Sequence, residues 1–265
     1  MIFPIESRSN EKIKTAQKLS SSASFRLEKQ EFFLEGVRLC CDAAQSGVLI
    51  KQCFFTEKAL EKNGEKLKIL LDRAESAYSV SEEIAQKLSG TKTSQGVFAV
   101  CGMSPATVFA PERGKKYIAL ENIQDPSNLG AIIRTAEALG IDKAVLCSCC
   151  DRYNPKAQRA AMGSLLRLPV FITDNMASVI AECEKAGILP LATVPDSSAV
   201  SITQVDMTGG VIAVIGNEGN GVTQETMALC KKVTVPMKGR AESLNASMAA
   251  AVVMWEMMRP SEVVS

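Results

Sequence analysis

The chain has 265 residues, enough for one large or two modest domains, with 46% hydrophobic and 22% charged residues in the proportions of a soluble globule. A net charge of +1 provides no overall field for a polyanionic partner, although a local basic patch is compatible with a balanced total. Histidine is absent, which excludes the usual general base, the commonest zinc ligand and every Ser–His or Cys–His nucleophile pair; chemistry must draw on carboxylates, amines, guanidinium, hydroxyls or a cofactor.

The spacing of Ile13, Ala16 and Leu19 predicts a short helix over residues 10–20. The first thirty residues hold Arg8, Lys12, Lys14, Lys18, Arg26 and Lys29 against Glu6, Glu11 and Glu28, an excess that a solvated helix face explains as well as an RNA contact does. "EFFLEG" then reads as a strand, "VRLCCDAAQSG" as a helix closed by Gly47, and "VLIKQCFFT" as a strand. "EKALEKNGEKLKILL" is helical, "AYSV" a short strand, Ser81 opens a helix to Leu88, and "GVFAVCG" is a strand. Strands alternating with helices give a small α/β domain, residues 1–105.

"MSPATVFAPERGKKY", with two prolines, a glycine and no periodicity, marks a linker from Met103 to Lys116. The pattern then restarts over residues 106–265: strand "YIALEN", helix "NLGAIIRTAEALG", strand "KAVLCS", helix "PKAQRAAMGSLL", strand "LPVFIT", helix "MASVIAECEKAG", strand "ILPLAT". "GVIAVIGN" is a buried strand, "QETMALCKK" a helix, "VTVPM" a short strand, and a helix closes the chain. Continuous apolar strands between helices predict a mostly parallel sheet covered on both faces.

Nine cysteines, an odd number with several inside apolar runs such as "AVLCSCC", read as reduced thiols. Cys147, Cys149 and Cys150 lack a second pair at finger or ribbon spacing, so no metal is expected. The start lacks a cationic, apolar signal pattern and no apolar run approaches the roughly 18 residues of a membrane span. A cytoplasmic protein is expected.

Three stretches stand apart, each where a strand ends and a helix begins, the place at which ligands bind in open α/β sheets. In "LENIQDPSNLGAIIRTAEALG" a strand–turn–helix exposes N–H groups that suit an anion, Gly130 permits close approach, and Arg134 stands among buried-looking neighbours where a guanidinium needs partners. A capped helix with an exposed arginine is the plainer alternative. "VIAVIGNEGNGV" runs a strand into Gly216, Gly219 and Gly221; it matches neither a Walker loop nor G-x-G-x-x-G, and a tight turn with Glu218 as a solvated charge is the alternative. In "VPMKGRAESLNASMAAAVVMWE" a polar cluster of Lys238, Arg240, Glu242, Ser243 and Asn245 precedes a helix rich in small and apolar residues, which Ser243 can cap.

Taken together, these three stretches resemble the three motifs of the SpoU (TrmH-like) family of RNA ribose 2′-O-methyltransferases, in the SPOUT superfamily, over residues from about 117 to 258. The segment before residue 105 more loosely resembles the family's amino-terminal substrate-binding domain, itself similar to small ribosomal RNA-binding proteins. The resemblance implies a carboxyl-terminal α/β domain tied in a deep trefoil knot, a homodimer packed through the last helix, and S-adenosylmethionine as cofactor. It implies that Gly216, Val235, Met237 and Leu244 hold the cofactor, and that Asn128, Arg134, Glu218, Ser243 and Asn245 form the catalytic and substrate-positioning set. The expected substrate is structured RNA, with large-subunit ribosomal RNA favoured over transfer RNA.

For such a reaction, aligning a sulfonium methyl with a ribose oxygen accounts for roughly 7–11 kcal/mol of barrier. The family proposal makes Arg134 the base, yet a guanidinium pKa of about 12 or more leaves little base at neutral pH. Arg134 as a phosphate clamp, with Glu218 as the base or as an orienting group, is equally physical. A dinucleotide oxidoreductase would carry its glycine fingerprint after the first strand, and a non-catalytic RNA-binding relative would have lost Arg134, Glu218 or Asn245.

Overall fold

The computed structural model describes residues 2–105, 108–241 and 243–259. Ala106 and Thr107 of the expected linker, and Glu242 of the polar cluster, lie outside them. The chain divides into two compact units: residues 1–105 with 151–167, and residues 106–150 with 168–265.

The first unit runs β1 (Ile2–Ile5), α1 (Glu11–Ser21), α2 (Ala23–Lys29), β2 (Glu31–Glu35), α3 (Val37–Gln45), β3 (Ile50–Phe55), α4 (Glu57–Arg73), β4 (Ala74–Val80), α5 (Glu82–Leu88) and β5 (Val97–Gly102). Its sheet has the order β1-β4-β3-β5-β2, parallel through the first three strands and antiparallel at β5 and β2. Side chains alternate across the pleat, so Phe32 and Leu34 enter one core with α3 and α4 residues while Phe33 enters the other with Ile13 and Ile84. Phe33 stacks on Phe98 at 5.7 Å and Phe54 on Tyr78 at 5.4 Å. Two elements escape a periodicity search: β1 is a four-residue strand at the sheet margin that tolerates Pro4, and α2 starts inside a serine run where Ser22 caps it by accepting from the Phe25 N–H.

The second unit begins β6 (Lys116–Glu121), α6 (Pro126–Leu139) and β7 (Lys143–Cys147). Next in the chain come α7 (Pro155–Ala161) and α8 (Ser164–Arg167), which complete the first unit instead. The second unit resumes with β8 (Val170–Thr173), α9 (Met176–Lys185), β9 (Leu189–Thr193), β10 (Val200–Ser201), a 3-10 turn (Ile202–Gln204), β11 (Val211–Ile215), α10 (Gln224–Ala228), β12 (Lys231–Thr234) and α11 (Ala246–Met258). Its seven strands lie in the order β10-β12-β9-β11-β6-β7-β8, every pair parallel. β11, Val-Ile-Ala-Val-Ile, is buried at all five positions, as a strand covered on both faces must be. The helix expected over "QETMALCKK" stops at Ala228, and Lys231 already pairs with Leu191 in the sheet.

Residues 151–167, expected with the second segment, attach to the first unit through specific groups. The Arg26 guanidinium, buried, donates to Asp151 Oδ2 from Nε at 2.7 Å and to the Leu19 carbonyl from Nη1 at 2.6 Å. The Tyr153 ring packs on Phe32 at 4.5 Å, and Arg167 pairs with Asp42 at 3.2 Å. Met162 and Gly163 at φ +50° and +91° break the expected single helix in two. A fragment 106–265 therefore leaves Tyr153, Ala157 and Ala161 without the strands that bury them and Asp151 without its cation. It is expected to aggregate by light scattering, and a monodisperse, thermally cooperative fragment would contradict this packing.

Candidate active site at the carboxyl edge of the parallel sheet

The loops after β6, β11 and β12 converge through side chains. After β6, Asn122 adopts the left-handed conformation at φ +59°, one that asparagine tolerates better than most residues. Asp125 caps α6 by accepting from the Ser127 N–H at 2.8 Å, with Pro126 opening the helix. Asn128 thus faces outward in the first turn. After β11, the Asn217 and Gly221 backbones pair at 3.2 and 2.8 Å, and Asn217 Oδ1 accepts from the Gly219 and Asn220 N–H groups at 2.8 and 3.3 Å. This closes a tight loop with Glu218 near its tip. A Cβ on Gly216 would fall on the backbone of Gly221 and Val222. Glycine is thus required for the loop to close on itself.

Asn128 Nδ2 donates to Glu218 Oε1, and Asn128 Oδ1 accepts from Asn245 Nδ2 at 3.2 Å. Asn245 Oδ1 in turn accepts from the Ser247 N–H at 2.9 Å and its hydroxyl at 2.7 Å. The direction of this relay is dictated chemically: a carboxylate only accepts, so Asn128 presents its amide N–H there and its carbonyl to Asn245, whose own carbonyl is committed to the helix. Asn245, not Ser243, caps α11. The expected cap is corrected on this point: the asparagine caps with its oxygen and reaches the site with its nitrogen, while Ser243 is exposed and makes no hydrogen bond among the described residues.

Arg134 is exposed on α6 and carries no ion pair or hydrogen bond among the described residues, so its apolar neighbours Ile132 and Ile133 do not enclose it. Val235, half-buried, and Met237 and Leu244, each 38% exposed, belong to the 235–245 loop. Thus Asn128, Glu218 and Asn245 are joined, whereas Arg134, Ser243, Val235, Met237 and Leu244 are not linked to them by hydrogen bonds. Lys238 and Arg240 are exposed on the same loop.

Sequence inspection passed over two groups beside this relay. Glu121, buried at the end of β6, accepts from the Thr223 N–H at 2.7 Å and from the Thr226 hydroxyl at 2.5 Å. Asn217 Nδ2 donates to the Asn122 carbonyl at 2.9 Å. The available signal was a carboxylate ending the otherwise apolar run "YIALE".

The nearby thiols are a different matter. Burial pushes Cys149 up to about 12, and it also raises Cys147 above the ordinary thiol range. Among the described residues no group of three or more His, Cys, Asp or Glu side chains is placed to hold a metal ion. Cys149 is therefore a neutral thiol at physiological pH, with its sulfur turned to the Leu120 carbonyl at 3.2 Å. In the native protein at pH 7.5, N-ethylmaleimide is expected to modify Cys149 far more slowly than free cysteine; mass spectrometry showing comparable rates would refute its burial.

Known proteins resemble this chain along most of its length. The SpoU rRNA Methylase family matches residues 115–255, and the MRM3-like substrate binding domain matches residues 10–99. The chain is 32% identical over 258 residues to the 23S rRNA (guanosine(2553)-2′-O)-methyltransferase RlmP of Bacillus subtilis, covering 96% of this chain and 98% of that protein. Among solved structures, the AdoMet-bound rRNA methyltransferase from Sinorhizobium meliloti superposes with a TM-score of 0.85 at 27% identity, covering 97% of both chains. The SpoU methyltransferase AviRb from Streptomyces viridochromogenes, in complex with AdoMet, does so with a TM-score of 0.83 at 25% identity, over 94% of this chain and 97% of that one.

Proposed function

The chain belongs to the SpoU rRNA methylase family, and on that premise we propose that it transfers a methyl group from S-adenosylmethionine to a ribose 2′-hydroxyl of large-subunit ribosomal RNA. The observation that carries this reading is the relay Glu218–Asn128–Asn245, which draws together the loops after three parallel strands at the edge where such sheets bind ligands. Guanosine is the proposed nucleoside, as in the RlmP relative's name.

The residues present fit the cofactor. Met237 and Leu244 expose apolar surface on the 235–245 loop, suited to an adenine ring, and with Val235 and the Gly216 backbone they are the proposed cofactor contacts. When bound, S-adenosylmethionine supplies an electrophilic methyl whose sulfonium leaves as a neutral thioether. The protein's part is alignment and proton removal. Glu218, oriented by Asn128, is the proposed acceptor of the 2′-hydroxyl proton, because a carboxylate can take a proton that an arginine at neutral pH cannot. Arg134, exposed and unpaired among the described residues, is assigned to the phosphate flanking the target ribose. Ser243 completes the substrate contacts.

In this reading residues 1–105, completed by 151–167, form the RNA substrate-binding domain, and the rest of residues 106–265 forms the methyltransferase domain, its chain threaded as a trefoil knot. Met248, Val252 and Trp255 form an exposed i, i+4, i+7 stripe on α11, with Trp255 62% exposed, which supports a homodimer packed through this helix. No helix among the described residues is long and apolar enough to cross a membrane, and a cytoplasmic location accords with a ribosomal substrate.

Titration calorimetry with S-adenosylmethionine, followed by methyl transfer to unmodified ribosomal RNA, tests the chemistry. Cells lacking the protein are expected to lose one ribose methyl in large-subunit RNA. An unchanged ribosomal pattern with a lost methyl in transfer RNA would reject the substrate and keep the reaction. Phosphate contacts from the amino-terminal unit predict RNA binding that weakens steeply with salt.

A further inference from the structure

We infer that Glu121 is a positioning residue that fixes the 216–223 loop, and through it Glu218, against the end of β6; this deepens the proposed function and rests on it. The carboxylate is only 4% exposed, and no cation pairs with it among the described residues. It is satisfied entirely from one side. Oε2 accepts from the Thr223 N–H at 2.7 Å, and Oε1 accepts from the Thr223 and Thr226 hydroxyls at 3.0 and 2.5 Å. Burying an unpaired charge is costly unless hydrogen bonds replace its water, so this arrangement persists only while the threonines stay in place.

Helix capping alone does not account for it. α10 has five residues and already has a cap, since Thr223 Oγ1 accepts from the Thr226 N–H at 3.3 Å. What the carboxylate adds is a tie between the exit of the loop and the strand that leads to Asn128. The next residue ties the entrance: the Asn122 carbonyl accepts from Asn217 Nδ2 at 2.9 Å, in a left-handed conformation that turns the chain there. Two consecutive residues therefore grip both ends of the loop, whose interior is closed by the Asn217–Gly221 pairing. Only its tip is left to vary. Glu218 and the Gly216 backbone, assigned to proton transfer and cofactor, are held in register with Asn128 by this double anchor.

Glu121→Gln keeps the shape but sets an amide N–H where acceptors are needed; Thr226→Val removes one donor at constant volume, and Thr226→Ser restores it. S-adenosylmethionine Kd by calorimetry, and kcat and KM by methyl transfer, are measured well below each Tm. Glu121→Gln is expected to weaken cofactor binding by about tenfold or more and to lower kcat as well, with Thr226→Val acting in the same direction. Thr226→Ser should return both towards wild type, and the Glu121→Gln/Thr226→Val double variant should be less than additive. Variants with lower Tm but wild-type Kd and kcat would overturn the inference, leaving Glu121 as a stabilising group only. Failure of the wild-type protein to bind S-adenosylmethionine would instead reject the site assignment itself.

Discussion

Arg134→Ala is expected to lower methyl transfer by about 10²–10³-fold while leaving S-adenosylmethionine affinity within a few-fold. The side chain is exposed and unpartnered among the described residues, so truncating it removes no packing and leaves α6 intact. What it removes is the positive charge proposed to hold the RNA phosphate, and deleting one electrostatic contact that acts in the transition state typically costs a factor of this size. Single-turnover methylation of RNA beside calorimetry with the cofactor separates the two effects. A parallel loss of cofactor affinity would show that the guanidinium acts on the cofactor and not on RNA.

Gly216→Val is expected to abolish cofactor binding altogether, for a reason other than contact with the cofactor. Any Cβ at this position falls on the backbone of Gly221 and Val222, so the loop cannot close and the Asn217–Gly221 pairing must open. Forced overpacking of this kind costs roughly 1–3 kcal/mol, or several degrees of Tm in a chain of this size. Because Gly216→Ala meets the same backbone, it is expected to behave like the valine variant. An alanine variant with wild-type affinity and Tm would show that the loop tolerates being open.

The alternation of strands and helices, and the three loops at the carboxyl edge of the sheet, were legible because parallel strands buried on both faces write themselves as apolar runs such as "VIAVI". Asn128, Glu218 and Asn245 were legible through the resemblance of the three stretches to the SpoU motifs, not through periodicity or spacing. Other features depend on partners far away in sequence. Nothing near Asp151 announces Arg26, 125 positions earlier, so residues 151–167 read as part of the segment that contains them. The opening of α11 offered Ser243 as its cap, and only backbone geometry places the cap two residues later at Asn245. The exposure of Trp255 was not legible, because α11 is apolar at nearly every position and no periodic face separates inside from outside.

The contribution of residues 151–167 to the first unit also sets a timetable. A ribosome releases the chain from its amino terminus, and domains generally fold in that order as they emerge. Here Arg26 and Phe32 are made early, but Asp151 and Tyr153, which cover them, follow only after β6, α6 and β7. At about 5–20 residues per second, the stretch from residue 105 to residue 167 takes roughly 3–12 s to synthesise. For that interval the nascent first unit holds an uncompensated guanidinium and an uncovered aromatic ring. The unit cannot be finished before much of its neighbour exists, so the two halves of the chain mature together.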